Sequence, residues 1–335
     1  MLPDMIEKIA YELMSPEQIK TFESTMEMNL SFGVAQIGNF RINIFRQRGS
    51  ISIVIRYILG NIPQLTSLDL PPVLGDLIME KRGLILIVGA TGSGKSTTIA
   101  SMLDHRNTNR AGHILTVEDP IEFLFKHKKS IVNQREIGMD TQDWAAALKN
   151  AMRQAPDCIL IGEIRDKETM QAAIAYAQTG HLCLATLHAN NSYHALNRII
   201  SFFPLENRPA LFLDLSVALR AIMSQRLVRK PDGKRAPACE VMINTRHISE
   251  LIERGEVQGI KDAMEQTLAP GSQTFEQDLF RLYREGTITL EEALTNADSP
   301  TNLSWLINNA EINPTGGKDE RKPDAALDFD STNAG

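Results

Sequence analysis

A glycine-rich octapeptide at positions 89–96, with the sequence GATGSGKS, constrains the fold of this chain more than any other feature. It follows the apolar run LILIV at 84–88, which predicts a buried parallel strand, and it opens the helical pattern STTIASML at 96–103. Glycines without a β-carbon let the backbone fold back and direct N–H groups at phosphate, which the helix N-terminus also favours. Strand, loop and helix together predict a nucleotide-binding loop rather than a turn without a ligand.

Different residues of this loop are expected to contact different parts of the bound nucleotide and its metal ion. The Lys95 ammonium is expected to reach the β- and γ-phosphates, and the Ser96 hydroxyl is expected to ligate Mg²⁺. The residues predicted to hold the nucleotide are Gly89, Ala90, Thr91, Gly92, Ser93, Gly94, Lys95, Ser96 and Thr97.

Length and composition narrow the class of protein further. With 335 residues and 43% hydrophobic content, the chain can bury a large core and a smaller module, so we expect more than one domain. No stretch of eighteen apolar residues is present and the first residues lack a signal-peptide pattern, which predicts a cytoplasmic protein without a transmembrane segment. A net charge of −6 provides no basic field for a phosphate backbone, so nucleic acid is not an expected partner. The cysteines, Cys158, Cys183 and Cys239, form no CxxC pair and are predicted to be buried, reduced thiols.

The order of hydrophobic patterns predicts an α/β architecture. Strands are predicted at 84–88, 114–117, 158–161 and 182–187, separated by helices that include 141–154 and 166–179, which is typical of a parallel sheet covered on both faces. Before them, helical periodicity over 4–27 and alternating patterns at 40–44 and 51–57, joined by a turn at 48–50, predict a small antiparallel sheet. After a final strand at 239–243, short helices run to position 309, and the polar residues from 311 onward are predicted to be disordered.

Acidic and imidazole side chains follow the predicted strands at three places. Glu118 ends the strand before DPIE, and in a parallel sheet the carboxyl ends of strands line the ligand crevice, so Glu118 is placed to orient or deprotonate water. Glu163 ends the apolar run CILIG and is the expected partner of the loop in the Mg²⁺ shell. His188 follows the strand LCLATL and lies within reach of a γ-phosphate. An acidic turn, a strand emerging into solvent and a structural histidine are the respective alternatives.

Four ordered segments, GATGSGKST, TVEDPIEF, ILIGEIRD and TGHLCLATLHANN, resemble the Walker A, Asp box, Walker B and His box of the secretion-superfamily ATPases. Within that superfamily the chain looks most like the type IV pilus retraction ATPases of the PilT and PilU kind, from about position 30 to 309. The segments LHANN and VMINTRHISELIERGEV favour the PilU branch.

This resemblance implies a RecA-like P-loop core at 81–310 with C-terminal helices, a PAS-like N-terminal domain at 1–60, a linker and first helix at 61–80, and a tail at 311–335. It implies a hexameric ring with ATP and Mg²⁺ between subunits, in which Glu118 is the catalytic carboxylate, Glu163 the Walker B acid and metal-shell residue, and His188 part of the His box. Family members also direct arginines of the N-terminal domain at the nucleotide. The matching positions are Arg41, Arg48 and Arg56, for which solvent-facing strand arginines are the alternative.

The resemblance also sets the expected function and partners. The family's N-terminal domain is longer, which implies that the one here is partial, and the absence of a four-cysteine zinc module favours retraction over extension. The expected activity is that of an ATP-driven motor for pilus retraction in twitching motility, located at the inner face of the cell membrane. Its expected partners are further copies of itself or a paralogous retraction ATPase, and a pilus platform protein. An accessory ATP-binding subunit with low turnover is the second hypothesis, and a nucleotide kinase is a third.

Overall fold

The computed structural model describes residues 3–34, 37–58, 60–267 and 269–312 of the chain. Its N-terminal part contains the helices α1 (Pro3–Leu13) and α2 (Pro16–Thr25), followed by β1 (Glu27–Val34), β2 (Gly38–Gln47) and β3 (Ser50–Ile58). The helix α2 begins after Ser15, whose side chain and that of Gln18 form a capping box. The strands pair antiparallel in the order β1-β2-β3, and the helices cover one face of this sheet through a core that includes Phe22, Ile42 and Ile44.

A short connection leads from the small sheet into the larger part of the chain. It contains a 3-10 helix, Leu65–Ser67, and the helix α3 (Val73–Ile78). Leu74 and Ile78 of α3 are fully buried against the side of the large sheet that also carries Met102 and Leu103. The connection is therefore packed onto the core rather than extended into solvent.

The large part is an α/β unit with a mixed sheet in the strand order β10-β9-β4-β8-β7-β5-β6. Its elements are β4 (Gly83–Val88), α4 (Lys95–Asn109), β5 (Gly112–Glu118), β6 (Ser130–Glu136), α5 (Trp144–Ala151), β7 (Cys158–Ile161), α6 (Lys167–Gln178), β8 (Leu182–Leu187), α7 (Ser192–Ser201), α8 (Arg208–Ala218), β9 (Leu219–Arg229) and β10 (Arg235–Ile243). All pairs are parallel except β9 with β10. Helices cover both faces, since separate apolar clusters lie on the two sides of the sheet.

The C-terminal helices extend this core. They are α9 (Arg246–Glu253), α10 (Ile260–Gln266), α11 (Phe275–Arg284), α12 (Leu290–Asn296) and α13 (Pro300–Ile312). The last three pack against the β9–β10 hairpin through buried residues such as Val228, Phe275 and Leu303. Helix α11 begins with a capping box on Thr274, and its apolar stripe faces the hairpin.

The predicted α/β fold with a RecA-like core is confirmed, and so are the central strands after the loop. Three strands were not predicted, namely β1, β6 and β9, because each mixes polar residues with apolar ones; β6 lies at the sheet edge and alternates only in part. The predicted helix at 141–154 begins only at Trp144, because the Asp143 side chain accepts a hydrogen bond from Ala146 N and caps it. Helix α6 ends before Gly180 as predicted.

Two further predictions concern the cysteines and the tail. Cys158, Cys183 and Cys239 are buried and free, as predicted. Helix α13 runs to Ile312, so the first two residues of the predicted disordered tail are helical, and the rest of that tail, 313–335, lies outside the described residues.

Candidate functional site

The glycine-rich loop connects β4 to α4, as the sequence predicts, and it packs against strand β9. Gly89 and Gly94 have φ of +154° and +92°. A β-carbon on Gly89 would lie 2.6 Å from the carbonyl oxygen of Gln225, and one on Gly94 would lie 2.7 Å from the Gln225 amide nitrogen. Gln225 also accepts a hydrogen bond from Thr98 Oγ1 at 2.7 Å. Glycine is therefore required at both positions by backbone geometry and by the closeness of β9.

Lys95 lies across the loop that carries it. Its Nζ donates hydrogen bonds to the carbonyl oxygens of Gly89 at 2.7 Å and Ala90 at 2.8 Å. Burial lowers the pKa of Lys95, and the nearby carboxylates of Glu163 and Glu122 oppose that shift by favouring the charged form. The loop thus holds a half-buried cation whose attraction to a phosphate is only partly screened by bulk water.

A cavity of about 250 Å³ lies in front of the loop and gathers the predicted site residues. Its walls include Lys95, Ser96, Glu118, Glu163 and His188, which come from four different segments of the chain. The strands β4, β5, β7 and β8 all end at this cavity, because the carboxyl ends of parallel strands meet at the same edge of a sheet.

Glu118 is the last residue of β5 and sits in a mostly buried, acidic environment. It accepts hydrogen bonds from Thr116 Oγ1 at 2.6 Å and Gln134 Nε2 at 3.3 Å. Burial raises the pKa of Glu118 to about 7, these hydrogen bonds oppose the shift, and the charges of Glu122 and Glu136 add to it. Near neutral pH this carboxyl group can therefore both hold and release a proton.

Glu163 follows β7 and is held between two basic side chains. Its Oε2 accepts a hydrogen bond from Arg165 Nε at 2.6 Å, and its Oε1 lies 3.2 Å from His188 Nε2. Arg165 also reaches Asp119 Oδ2 at 3.3 Å and packs over the Trp144 ring. Arg165 therefore connects the acidic segment after β5 to the one after β7.

Gly162 provides the close packing between those two segments. A β-carbon there would lie 3.1 Å from both Glu118 Cα and the Val117 carbonyl oxygen, and 3.4 Å from the Trp144 ring. Because glycine has no β-carbon, the chain after β7 can lie this close to the end of β5.

The arginines predicted in the small sheet occupy different places. Arg41 and Arg56 are paired across β2 and β3, and both line a second cavity of about 270 Å³ that shares Glu122 and Phe123 with the first. Arg41 Nη2 also forms an ion pair at 3.3 Å with Glu136 on β6. Arg48 lies in the turn between β2 and β3, at the other end of the hairpin, roughly 20 Å along the strands. The chain's own site is therefore approached by Arg41 and Arg56 and not by Arg48.

A third cavity lies behind the loop, on the side of the connection to the small sheet. Its volume is about 340 Å³, and its lining includes Asp69, Gly94, Thr97, Thr98 and Arg235. Thr97, predicted to contact the nucleotide, thus faces this cavity and the arginine-lined one rather than the first.

Several residues of the site were not predicted. Thr116, Gln134, Glu136, Arg165 and Gln225 surround the predicted side chains. Thr116 was recognisable in principle, since it lies two positions before Glu118 on a strand and so on the same face. The contacts of Glu136 and Gln225 depend on how distant strands pair, which a local pattern does not specify.

The described part of the chain contains no helix with the length and hydrophobicity that a membrane span requires. Within the same residues, no group of three or more His, Cys, Asp or Glu side chains could hold a metal ion by itself.

The fold and the site define a P-loop nucleotide-binding protein with a RecA-like core. The family model described as type II/IV secretion system protein matches residues 27–295, so the chain belongs to that family, and it is an ATPase related to the pilus ATPases.

Three comparisons support this assignment. The type IV pilus ATPase PilU of Pseudomonas aeruginosa is 47% identical over 91% of this chain and 80% of its own length. The type IV pilus retraction ATPase PilT of the same organism is 39% identical over 89% of this chain and 87% of its own. A crystal structure of the pilus retraction motor PilT with bound ADP has a TM-score of 0.84 at 44% identity and covers 89% of this chain and 85% of that one. The resemblance to the PilT and PilU ATPases inferred from the sequence is confirmed.

Proposed function

We propose that the chain is an ATP-hydrolysing motor that powers retraction of a type IV pilus. The observation that carries this proposal is the single cavity in which the loop lysine, the loop serine and the strand-end residues Glu118, Glu163 and His188 meet. A phosphate-binding loop alone would serve any nucleotide-binding protein. A carboxyl group with a near-neutral pKa opposite that loop supports hydrolysis, because it provides a base for water.

The substrate would lie along the loop with its two ends in different cavities. The triphosphate oxygens would accept hydrogen bonds from N–H groups of the glycine-rich turn and face Lys95 in the first cavity. The nucleoside would extend toward the third cavity, where Asp69 and Arg235 provide polar groups next to Gly94 and Thr97. This arrangement accounts for two cavities that meet at one loop.

In the proposed reaction, Glu118 orients a water molecule against the γ-phosphate and takes up its proton. Lys95 stabilises the negative charge that develops on the phosphate oxygens, and exclusion of bulk water in the half-buried cavity strengthens that attraction. His188, next to Glu163, would respond to the presence of the γ-phosphate.

The residues at the loop fit Mg²⁺, although the described residues form no group of protein ligands that would surround the ion by themselves. This ion binds through few protein ligands and retains water, so Ser96 and the phosphates would hold it directly and Glu163 would contact its water shell. The ion would supply neutralisation of phosphate charge.

Arginines would complete the charge stabilisation. Arg41 and Arg56 line the cavity that adjoins the first one, and closure of the small sheet over the core would bring them toward the phosphates. Arg48, at the far end of the hairpin, would act on the site of a neighbouring subunit. Association into a ring of identical subunits, a hexamer, or with a paralogous retraction ATPase would provide that neighbour.

The motor role is supported by the names of the relatives, which are pilus and pilus retraction ATPases. Domain closure on ATP and opening on product release would turn the small sheet against the core. We propose that this movement acts on a pilus platform protein in the inner membrane, with the chain in the cytoplasm at the membrane's inner face.

The test is phosphate release by the purified chain with ATP and Mg²⁺, alone and mixed with a PilT-type ATPase. Lys95→Ala is expected to abolish phosphate release. Lys234→Ala, which removes an exposed lysine from the turn between β9 and β10, is the matched control and should leave it unchanged. Normal release by Lys95→Ala would refute the assignment of the site, and turnover that appears only in the mixture would identify an accessory subunit.

A further inference from the structure

The loop that carries His188 is fastened to the C-terminal helices by a compact polar cluster. This loop, residues 188–191, connects β8 to α7, and its last residue, Asn191, caps α7 by accepting a hydrogen bond from His194 N at 2.9 Å. The other end of the same amide, Nδ2, donates to Asp298 Oδ2 at 2.7 Å. Asp298 lies in the connection between α12 and α13. Asn191 therefore uses both halves of its amide, one within its own helix and one across to the C-terminal helices.

Arg226 on β9 holds the other side of this cluster. Its guanidinium group donates to Asp298 Oδ1, to the carbonyl oxygen of Asn296 and, at 3.2 Å, to the carbonyl oxygen of Asn190. It also lies over the ring of Phe275 at 3.9 Å. Because the group is planar and its donors have fixed directions, these contacts define one position of Asp298 relative to the loop.

The cluster is also held by helix α11, which carries Glu276. The residue after Asp298, Ser299, donates its backbone N–H to Glu276 Oε1 at 2.7 Å, and Glu276 is 2% exposed. The beginning of α7 is held separately, since Ser192 donates to the buried Glu240 from its backbone N–H at 2.7 Å and from its hydroxyl. Movement of α12 and α13 would therefore act on residues 190 and 191 while α7 stays in place.

His188 depends on this loop for its position. Its side chain is 52% exposed, and the contact of its ring is with Glu163 at 3.2 Å. With little packing around the ring, the backbone of the loop decides whether the imidazole reaches Glu163.

We propose that Asp298 and Arg226 are positioning residues for His188, through which the C-terminal helices control the hydrolytic step without touching the nucleotide. This inference rests on the proposed function, in which His188 and Glu163 take part in ATP hydrolysis. In this proposal the helices α11–α13 cover the β9–β10 hairpin and also set the distance between the His188 imidazole and the Glu163 carboxylate.

The test exchanges donor and acceptor across the cluster. Asn191→Asp keeps the cap of α7 but opposes two carboxylates, and Asp298→Asn opposes two amide N–H groups. Each change is expected to lower kcat about tenfold with KM for ATP within about twofold, because a displacement near 1 Å at a reacting group has effects of this size or larger. The double variant restores a donor facing an acceptor, and its kcat should return to within about threefold of the unchanged chain.

A second measurement asks whether the effect passes through His188. In a His188→Gln background, Asn191→Asp and Asp298→Asn should not lower kcat further, since coupled residues act non-additively. Asp232→Asn in the β9–β10 turn is the control for the change of charge and should keep kcat. Absence of rescue in the double variant, additive losses in the His188→Gln background, or losses confined to KM would each overturn the inference.

The two proposals fail in different ways. If His188→Gln alone leaves kcat unchanged, the proposed part of His188 in hydrolysis is wrong. If His188→Gln lowers kcat while Asn191→Asp and Asp298→Asn do not, the positioning role alone is wrong and the proposed function stands.

Discussion

At the scale of single residues, the proposed hydrolysis depends on the surroundings of Glu118. It ends a buried strand, with Glu122 and Glu136 nearby and two hydrogen-bond donors, Thr116 and Gln134, directed at it. Burial and like charges favour its protonated form, while the donors favour the ionised form, and the balance is a pKa of about 7. An ordinary surface glutamate would be fully ionised at that pH and a weaker base.

Glu118→Gln is expected to abolish hydrolysis and to stabilise the fold at alkaline pH. Because the folded chain raises this pKa from 4.5 to about 7, the stability contributed by protonated Glu118 is full below pH 4.5 and is lost as pH rises through 7. The variant should exceed the unchanged chain in free energy of unfolding by about 2–3 kcal/mol at pH 8, and the gap should close toward pH 4.5. Urea unfolding of both proteins at several pH values measures this difference in free energy of unfolding. A difference that does not vary with pH would contradict the assigned pKa.

Thr116→Val tests the hydrogen bond that opposes the shift. The change removes the donor at 2.6 Å from Glu118 and keeps a side chain of the same shape. The pKa of Glu118 should rise further, because its ionised form loses a partner, so the acidic limb of the kcat/KM profile should move upward by about one pH unit. Thr108→Val, on the exposed side of α4, is the control. A profile that stays in place would show that the limb belongs to another group.

At the scale of secondary-structure elements, the site is made by strand ends. The strands β4, β5, β7 and β8 deliver the loop, Glu118, Glu163 and His188 to one edge of the sheet. Their distances are set by how closely neighbouring strands approach, and at Gly162 the chain after β7 lies close to the backbone of β5.

Gly162→Ala should therefore impair the site although it removes none of the side chains proposed to act there. The added methyl group would meet Glu118 Cα and the Val117 carbonyl oxygen at 3.1 Å, so β5 and β7 would have to separate. We expect a loss of stability of about 1–3 kcal/mol and a fall in kcat. Gly75→Ala in α3 is the matched control, because nothing lies within 4 Å of its added methyl group, and it should stabilise the helix by up to about 1 kcal/mol. Wild-type kcat in Gly162→Ala would contradict this account.

The strands also show which parts of the fold and the site could be predicted from the sequence alone. Strand β4 is buried along its whole length and was readable as a continuous apolar run, as were β7 and β8. The rule that ligands bind at the carboxyl ends of parallel strands then placed Glu118, Glu163 and His188 together. Strand β6 was missed because its residues 133–135 are polar and it lies at the sheet edge. Since Glu136 belongs to β6, its contacts with Arg41 and Ile121 were missed with it.

At the scale of the whole molecule, the small sheet and the core meet at the ion pair between Arg41 and Glu136. Its side chains are 20% and 6% exposed, so it is partly shielded from solvent. Glu136 also accepts a hydrogen bond from Ile121 N at 3.1 Å, in the segment that follows Glu118. The position of the small sheet is thereby connected to the segment that carries the proposed base.

Substitution of Arg41 and Glu136, singly and together, tests whether this ion pair couples the small sheet to the core. Arg41→Gln and Glu136→Gln are each expected to increase hydrogen exchange in β2 and β6, and their double variant should differ from the sum of the two in free energy of unfolding by about 1 kcal/mol. Arg46→Gln, whose partner Glu23 lies within the small part itself, is the control and should leave β6 unchanged. Additive effects of Arg41→Gln and Glu136→Gln would show that the two parts are held together by other contacts.

Gln225 and Arg226 are consecutive residues of β9 whose side chains point to opposite faces of the sheet. The Gln225 side chain lies beside Gly94 of the phosphate loop and accepts a hydrogen bond from Thr98 of α4, while Arg226 contacts Asp298 and the ring of Phe275. One peptide unit of β9 therefore separates the contact with the phosphate loop from the contact with the C-terminal helices that we propose control hydrolysis. In the proposed mechanism, a displacement of the loop that shifts Gln225 would also shift Arg226, and β9 would transmit that displacement to the C-terminal helices.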